Sequence, residues 1–227
     1  MEQAVRKVKG VLFDMDGTLL DTERLYQTCW QRVAADRGYE LTDAFLASLR
    51  GASLDVIAER FEAHFEGKRK YREERSYRQR YVMAEVEQHG VPVMKGAVEL
   101  LRFLQASDIP MAVATSTPEE TARQFLQHAG LLPYFQAIVA GDMVENGKPA
   151  PDIFLLAAKG LGLPASDCMV VEDSRNGVIA GRSAGAQVCY LWDLTVLPQE
   201  DIKRYVDVTV ASLEELIPWL RQNLQDV

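Results

Sequence analysis

The feature that most constrains the fold of this chain is a repeated alternation of short apolar runs with helical patterns. The apolar runs occupy residues 8–13, 109–114, 137–140, 169–171, 188–191 and 206–211, and the helical patterns occupy residues 95–106, 118–130, 153–162 and 213–224. Apolar strands that alternate with helices are typical of a parallel sheet covered by helices on both faces. The sequence therefore predicts an α/β fold built on such a sheet.

One helix start is marked by specific residues. Thr117 precedes Pro118, and Glu120 follows Thr117 by three positions. This order matches a capping box with proline in the first turn, in which the threonine hydroxyl accepts a backbone N–H. We therefore expect Thr117 to cap the helix that follows.

Residues from about Asp21 to Pro92 break the alternation. Helical patterns follow one another there, at residues 23–37, 53–65 and 68–89, without an intervening strand. A helical block placed directly after the first strand predicts an inserted lobe over the carboxyl end of that strand, which is where ligands bind in open parallel sheets. We expect an α/β core of residues 1–20 and 93–227 and an inserted helical domain of residues 21–92.

The charge balance bears on possible partners. The 227 residues include 25 Lys plus Arg and 33 Asp plus Glu, for a formal net charge of −8. An acidic chain repels nucleic acid and anionic membranes, so we expect neither as a partner. The basic segment 67–80 (GKRKYREERSYRQR) is the local exception, and we interpret it as a solvated helix face with paired charges.

The three cysteines, Cys29, Cys168 and Cys189, are far apart and show no C-x-x-C spacing. An odd and sparse set argues against a disulfide framework and a structural zinc site, and it fits a reducing compartment.

The N-terminal residues lack the apolar stretch of a signal peptide, and no apolar run approaches the ~20 residues needed to span a bilayer. We expect a cytoplasmic protein, and a monomer.

Two acidic residues follow the first apolar run directly. Asp14 and Asp16 project to the same side of a strand end, and Gly17 permits a sharp turn with a positive φ. Carboxylates that face each other in a partly buried place need a cation, hydrogen bonds or protonation to compensate them. The alternative interpretation is a loop whose acids only cap the next helix.

A second acidic pair, Glu172 and Asp173, follows the apolar run at 169–171. If the two strands are neighbours in the sheet, both pairs face one crevice. Clustered carboxylates supply the hard oxygen ligands that Mg²⁺ prefers, so the sequence predicts a magnesium site there. Asp173 could instead cap the helix that follows it.

Two further segments complete a candidate phosphate site. Thr115 and Ser116 end the run at 109–114 just before a helix, whose N-terminus attracts anions. Lys148 precedes a proline, which biases its backbone toward an extended conformation. Its ammonium would neutralise both a phosphate and the surrounding carboxylates.

This inventory predicts a mechanism. We see no Ser/His/Asp or Cys/His arrangement, but an aspartate can itself be the nucleophile. Asp14 would attack phosphorus and form a phospho-aspartate, while Asp16 would protonate the leaving alkoxide and then deprotonate the attacking water. Mg²⁺ would bridge Asp14, a phosphoryl oxygen and Asp173, and Lys148 would balance the charge of the transferring group.

The segments DMDGT (14–18), Thr115-Ser116, Lys148-Pro149 and Glu172-Asp173 together resemble the four motifs of the haloacid dehalogenase superfamily of phosphatases, in order and in strand-end context. The likeness covers nearly the whole chain. The insertion resembles the helical C1 cap of that superfamily, and the subgroup resembles its β-phosphoglucomutase and sugar-phosphatase branch.

The resemblance implies a Rossmann-like core, Mg²⁺ dependence and a small phosphorylated metabolite, such as a sugar phosphate, as substrate. By position it implies Asp14 as nucleophile and Asp16 as acid/base. The implied metal ligands are Asp14, the Asp16 backbone carbonyl and Asp173, with Glu172 nearby. Thr115, Ser116 and Lys148 would bind phosphate, and Arg50 and Gly51 in the insertion would belong to the substrate-specificity loop.

Three alternatives remain at this level. Dehalogenation is disfavoured because dehalogenases of the superfamily lack the second aspartate, here Asp16. A β-phosphoglucomutase-type sugar phosphomutase is disfavoured because Tyr26 and Leu54 stand where the mutase carries a histidine and an arginine. A receiver-type signalling module also uses an acidic pocket, Mg²⁺, a Thr/Ser and a Lys. Its motif order differs, however, and it has no inserted helical domain.

Overall fold

The computed structural model describes residues 7–49, 54–193 and 196–224. In these ranges it has six strands, β1 (Gly10–Phe13), β2 (Met111–Ala114), β3 (Ala137–Val139), β4 (Cys168–Glu172), β5 (Gln187–Leu191) and β6 (Val208–Val210). The strands form one sheet in the order β3-β2-β1-β4-β5-β6, and every neighbouring pair is parallel. The predicted Rossmann-like parallel sheet is confirmed.

The helices in the described ranges alternate with these strands or lie in the insertion. The insertion contains α1 (Thr22–Asp36), α2 (Asp43–Leu49), α3 (Leu54–His64) and α4 (Tyr71–His89). The remainder are α5 (Ala97–Ala106), α6 (Glu119–His128), α7 (Asp152–Gly160), α8 (Arg175–Ser183), α9 (Gln199–Tyr205) and α10 (Leu216–Asn223).

Helices cover both faces of the sheet, and the burial of its strands shows this directly. Every residue of β1, β2, β4 and β5 is buried. Because successive side chains of a strand point to opposite faces, continuous burial requires cover on both sides. One core cluster places Phe154 and Ala157 of α7 with Leu12, Ala112 and Val170 of the central strands.

The chain divides into two compact units, one of residues 1–21 and 92–227 and one of residues 22–91, here called the helical insert. The insert has an aromatic core of its own. Trp30 of α1 lies 5.5 Å from Phe61 of α3 and 5.9 Å from Tyr71 of α4, measured between ring centroids. Such aromatic contacts add to the hydrophobic stabilisation of the unit.

The basic segment 67–80 is only partly the solvated face that the sequence predicts. Arg72, Arg75 and Arg80 are exposed, but Arg78 is buried, with its guanidinium carbon 4.2 Å from the ring centroid of Tyr26. Burial lowers the pKa of Arg78 from its ordinary value. The charge pattern alone did not distinguish this arginine from its neighbours, because all of them lie on the same helix, α4.

Within the described ranges, no helix is both long enough and apolar enough to cross a bilayer.

Candidate active site

The first acidic pair meets the second because β1 and β4 are neighbours. Phe13 pairs with Val171, and the Asp14 backbone N–H donates to the Val171 carbonyl at 3.0 Å. Asp14, Glu172 and Asp173 each place one carboxylate oxygen within 4.8 Å of the others. The structure thus gathers three of the four predicted carboxylates at one edge of the sheet.

Asp14 is buried at the centre of this group. Burial, together with the charges of Glu172 and Asp16, raises the pKa of Asp14 well above its ordinary value, against the opposing effect of Lys148. A carboxylate in such surroundings is stabilised by nearby positive charge and by donated hydrogen bonds.

Lys148 supplies part of that charge. Its Nζ donates to Asp14 Oδ1 at 2.5 Å, to Glu172 Oε1 at 2.7 Å and to the Ala114 carbonyl at 3.0 Å. Burial alone would lower the pKa of Lys148, but the two carboxylates more than offset it and raise the pKa above its ordinary value. Lys148 is therefore a buried, charged member of the site.

Glu172 is held from both sides. Its Oε1 accepts from Lys148, and its Oε2 accepts from the Ser174 backbone N–H at 2.8 Å and from the Ser174 hydroxyl at 2.9 Å. The Ser174 hydroxyl also caps α8 by accepting from the Gly177 N–H. A Cβ at Gly177 would lie 1.7 Å from Glu172 Oε1, so only glycine leaves room for this carboxylate.

Asp16 faces the segment that follows β2. Its Oδ2 accepts from the Thr117 hydroxyl at 2.8 Å and from the Thr115 hydroxyl at 3.2 Å. Thr115 Oγ1 in turn accepts from the Thr117 backbone N–H at 3.0 Å. In this arrangement the single hydroxyl proton of Thr115 is directed at Asp16, while Ser116 is exposed beside it.

The prediction that Thr117 caps the next helix is wrong. Helix α6 begins at Glu119, so Pro118 occupies the N-cap position, and the Glu119 N–H donates to Asp142 Oδ1 at 3.1 Å. The Thr117 hydroxyl goes to Asp16 instead. Because Asp16 is 101 residues away in the sequence, the local capping pattern could not reveal this partner.

Gly17 has the positive φ that the sequence predicts, at 83°. A Cβ there would lie 2.3 Å from Asp173 Oδ2, so the turn after Asp16 also passes close to the second acidic pair. Thr18 places its Oγ1 3.5 Å from Asp173 Oδ1.

Four groups lie beside the site although they were not predicted from the sequence: Thr18, Ser174, Gly177 and the Thr117 hydroxyl. For Ser174 a signal was available, because a serine before a helical pattern is a typical N-cap. The predicted specificity-loop residues Arg50 and Gly51 lie outside the described residues.

The carboxylate group fits a small divalent cation. Two oxygens bound to one Mg²⁺ lie at most about 4.2 Å apart, since each Mg–O bond is about 2.1 Å long. The observed spacing within 4.8 Å therefore requires only a small adjustment of side chains. A cation would also offset the burial and the carboxylate repulsion that together raise the pKa of Asp14.

Comparison with known proteins is consistent with this geometry. Residues 8–185 match the family model described as haloacid dehalogenase-like hydrolase. The matched region contains each of Asp14, Asp16, Thr115, Lys148 and Asp173.

Curated relatives extend the match over most of the chain. A Drosophila melanogaster protein described as a "probable pseudouridine-5'-phosphatase" is 37% identical over 222 residues, which cover 95% of this chain and 94% of that protein. The "phosphorylated carbohydrates phosphatase" of Thermotoga maritima is 34% identical over 187 residues, or 81% of this chain and 84% of that protein.

A solved structure shares the architecture. The "putative beta-phosphoglucomutase" from Thermotoga maritima superposes with a TM-score of 0.81 at 29% identity, covering 96% of this chain and all of that chain. The family match and the curated relatives confirm both the predicted superfamily and the predicted hydrolase class. This chain belongs to the haloacid dehalogenase-like hydrolase family.

Proposed function

We propose that this protein is a Mg²⁺-dependent phosphatase that hydrolyses a small phosphate monoester, a sugar phosphate, through a phospho-aspartate on Asp14. The observation that carries the proposal is the position of Asp14, whose carboxylate contacts the ammonium of Lys148 and has an oxygen within 4.8 Å of oxygens of Glu172 and Asp173. Asp14 thus has the ammonium of Lys148 beside it, and the clustered carboxylates supply ligands for a divalent cation. Two such positive charges offset the negative charge of a phosphate under attack.

The chemistry proceeds in two displacements. An Asp14 oxygen attacks phosphorus in line, the bond from phosphorus to the ester oxygen breaks, and Asp16 gives its proton to the leaving alkoxide. Asp16 then takes a proton from a water that attacks the phosphorus of the acyl phosphate. Inorganic phosphate leaves, and Asp14 is regenerated.

Lys148 has two functions in this scheme. Its bond to Asp14 Oδ1 restricts the rotation of the nucleophilic carboxyl, which keeps the attacking group oriented. Its charge also balances the negative charge that spreads over the transferring phosphoryl group. Ser116, which is exposed, would donate to the phosphoryl oxygens from the end of β2. Thr115 would do so when its hydroxyl proton turns from Asp16 to the bound phosphate.

Asp14, Asp173 and the Asp16 backbone carbonyl would hold the Mg²⁺. Glu172 would stay nearby without direct ligation, because its two oxygens already accept from Lys148 and Ser174. When bound, the ion neutralises phosphoryl oxygens and aligns them for displacement.

The substrate class follows from the relatives under this proposal. Proteins that share a third or more of their residues with this chain are described as phosphatases of pseudouridine 5'-phosphate and of phosphorylated carbohydrates. We infer a phosphorylated sugar or sugar-like metabolite as the partner of this site. The helical insert would act as a cap domain, with the loop at Arg50 and Gly51 selecting the substrate.

The test is a panel of phosphate esters incubated with the protein and Mg²⁺, with inorganic phosphate as the readout. The panel contains hexose phosphates, hexitol phosphates, pseudouridine 5'-phosphate and p-nitrophenyl phosphate. We expect many turnovers on at least one sugar phosphate and none with Asp14→Asn, a variant of nearly the same size.

Other outcomes separate the alternatives. A single stoichiometric phosphorylation by acetyl phosphate, without turnover, would indicate a receiver-type module. Interconversion of glucose 1-phosphate and glucose 6-phosphate without phosphate release would indicate a mutase. Normal hydrolysis by Asp14→Asn would exclude the covalent scheme.

A further inference from the structure

The Thr117 hydroxyl makes a contact that the proposed chemistry has not used. It donates to Asp16 Oδ2 at 2.8 Å, which is shorter than the 3.2 Å contact from Thr115 to the same oxygen. The hydroxyl is not needed to begin α6, since that helix starts at Glu119 and Asp142 accepts the Glu119 N–H. Its structural partner is therefore the carboxylate to which the acid/base function is assigned.

Three hydrogen bonds connect Asp16 with the segment that follows β2. The Thr117 backbone N–H donates to Thr115 Oγ1, the Thr115 hydroxyl donates to Asp16 Oδ2, and the Thr117 hydroxyl donates to that same Oδ2. Because a threonine hydroxyl carries one proton, both directions are determined by these partners. The network ties the Asp16 side chain to the backbone just after β2.

These two bonds converge on one oxygen of Asp16. Two hydroxyl donors on the same carboxyl oxygen restrict the rotation of the carboxyl group. An acid/base carboxyl that is held in one orientation exchanges its proton with groups at one position.

We propose that Thr117 is a positioning residue that holds the Asp16 carboxyl in the orientation in which it exchanges protons with the leaving group and with water. This inference rests on the proposed function and deepens it. In the first displacement the Asp16 proton passes to the ester oxygen as its bond to phosphorus breaks. In the second, the Asp16 carboxylate receives a proton from the attacking water.

The proposal predicts a dependence on the leaving group. An alkoxide is a poor leaving group and needs the Asp16 proton, whereas p-nitrophenolate departs without protonation. The constant kcat/KM covers the steps up to loss of the leaving group, so it reports the first displacement alone. Removing the Thr117 hydroxyl should therefore reduce kcat/KM for an alkyl phosphate. The kcat/KM for p-nitrophenyl phosphate should stay nearly unchanged.

The experiment compares Thr117→Val, which keeps the side-chain shape, with Thr117→Ser, which keeps the hydroxyl. With the best sugar phosphate from the panel, we expect Thr117→Val to lower kcat/KM by roughly 10- to 100-fold, a part of the usual contribution of general acid catalysis. We expect a less than about threefold change with p-nitrophenyl phosphate, as that step does not need the acid. Thr117→Ser should restore most of the loss.

A double-mutant cycle separates positioning from a general structural effect. If Thr117 acts through Asp16, then Thr117→Val should cause little further loss in an Asp16→Ala background. An equal loss on both substrates, no loss on either, or a full additional loss in the Asp16→Ala background would overturn the proposal. Should Thr117→Val not fold, as circular dichroism would show, the smaller Thr117→Ala answers the same question.

Failure of this inference can be told from failure of the proposed function. If the wild-type protein releases no phosphate from any ester of the panel, the proposed function fails, and this inference fails with it. If the wild-type protein hydrolyses a sugar phosphate and Thr117→Val shows no dependence on the leaving group, only the role of Thr117 is refuted.

Discussion

Lys148 Nζ lies 2.5 Å from Asp14 Oδ1, although 134 residues separate them in the sequence, and both side chains are almost completely buried. The same ammonium reaches Glu172 at 2.7 Å. One buried cation therefore compensates two buried anions, and its removal should affect both stability and activity.

We expect Lys148→Met to lower the free energy of unfolding by about 3 kcal/mol in the absence of Mg²⁺, because it leaves two buried carboxylates without their partner. Added Mg²⁺ should recover part of this loss. Urea denaturation with and without Mg²⁺ measures both effects. The matched control is Lys159→Met on the exposed side of α7, which should behave as the wild type. Equal stability of the two variants would contradict the prediction.

Mg²⁺ should stabilise the folded protein. A ligand that binds only the folded state at 100 times its dissociation constant adds about 2.7 kcal/mol, which corresponds to roughly 5–10 °C in a chain of this size. Asp173→Asn should reduce this shift in a thermal melt, since it removes one of three clustered carboxylates.

The same metal site should be needed for activity. EDTA should abolish phosphate release and Mg²⁺ should restore it. Full activity in EDTA would refute the assigned metal site.

A buried ion-pair network should stabilise the helical insert. The Glu74 side chain is 1% exposed, and its carboxylate lies 2.8 Å from Arg37 Nε and 3.0 Å from Arg69 Nη1. We expect Glu74→Gln to destabilise the protein by about 2–3 kcal/mol, because both arginines lose the charge of their buried partner. Partial hydration of the arginines keeps the loss from being larger.

The control for this variant is the neighbouring residue on α4. Glu73 also pairs with Arg37, at 2.8 Å, but its side chain is 57% exposed. Glu73→Gln should leave the free energy of unfolding nearly unchanged, since exposed ion pairs contribute little. Similar losses for Glu73→Gln and Glu74→Gln in urea denaturation would show that burial does not decide the effect.

Gly177 should not tolerate a methyl group. In a helix, glycine to alanine usually adds about 0.5–1 kcal/mol of stability. Here a Cβ would overlap the Glu172 carboxyl, so Gly177→Ala should displace this carboxyl and lower both stability and phosphatase activity. Gly147→Ala, where a Cβ meets no atom within 4 Å, is the control. A more stable and fully active Gly177→Ala would contradict the packing at Glu172.

The three cysteines should be unreactive in the folded protein. Cys29, Cys168 and Cys189 are free and buried, and burial raises the pKa of all three, that of Cys168 to about 12. Because the thiolate is the reactive form, a thiol reagent such as DTNB should react slowly at pH 8 and then with three equivalents in denaturant. Rapid reaction of one equivalent under native conditions would show that a thiol is accessible.

Local patterns predicted much of the fold. The apolar runs became the six strands, and the helical patterns between them became helices, because burial on both faces and helical periodicity are properties of short segments. The sharp turn in the DMDGT segment was also predicted from the sequence, and Gly17 adopts the expected positive φ. These features depend on neighbouring residues alone, so the sequence contains them explicitly.

Other features depend on contacts between distant segments. Thr117 matched a capping pattern, yet its hydroxyl bonds to Asp16. Arg78 matched a solvated face, yet it is buried against Tyr26. In each case a local pattern had two possible uses, and the packing of a remote segment selected one of them. The substrate, the monomeric state and the absence of nucleic acid and membrane partners stay predictions.

The sequence by itself determined the types of elements and the parallel sheet, and it predicted the residues proposed for phosphoryl transfer. Only the tertiary structure decided that β1 lies between β2 and β4, which brings Asp14 to Asp173, Asp16 to Thr117 and Lys148 to both acidic pairs. The physical reason is that secondary structure follows from local periodicity, whereas strand order results from the burial of the whole core. The carboxylates and the buried ammonium of Lys148 meet only after that core has formed.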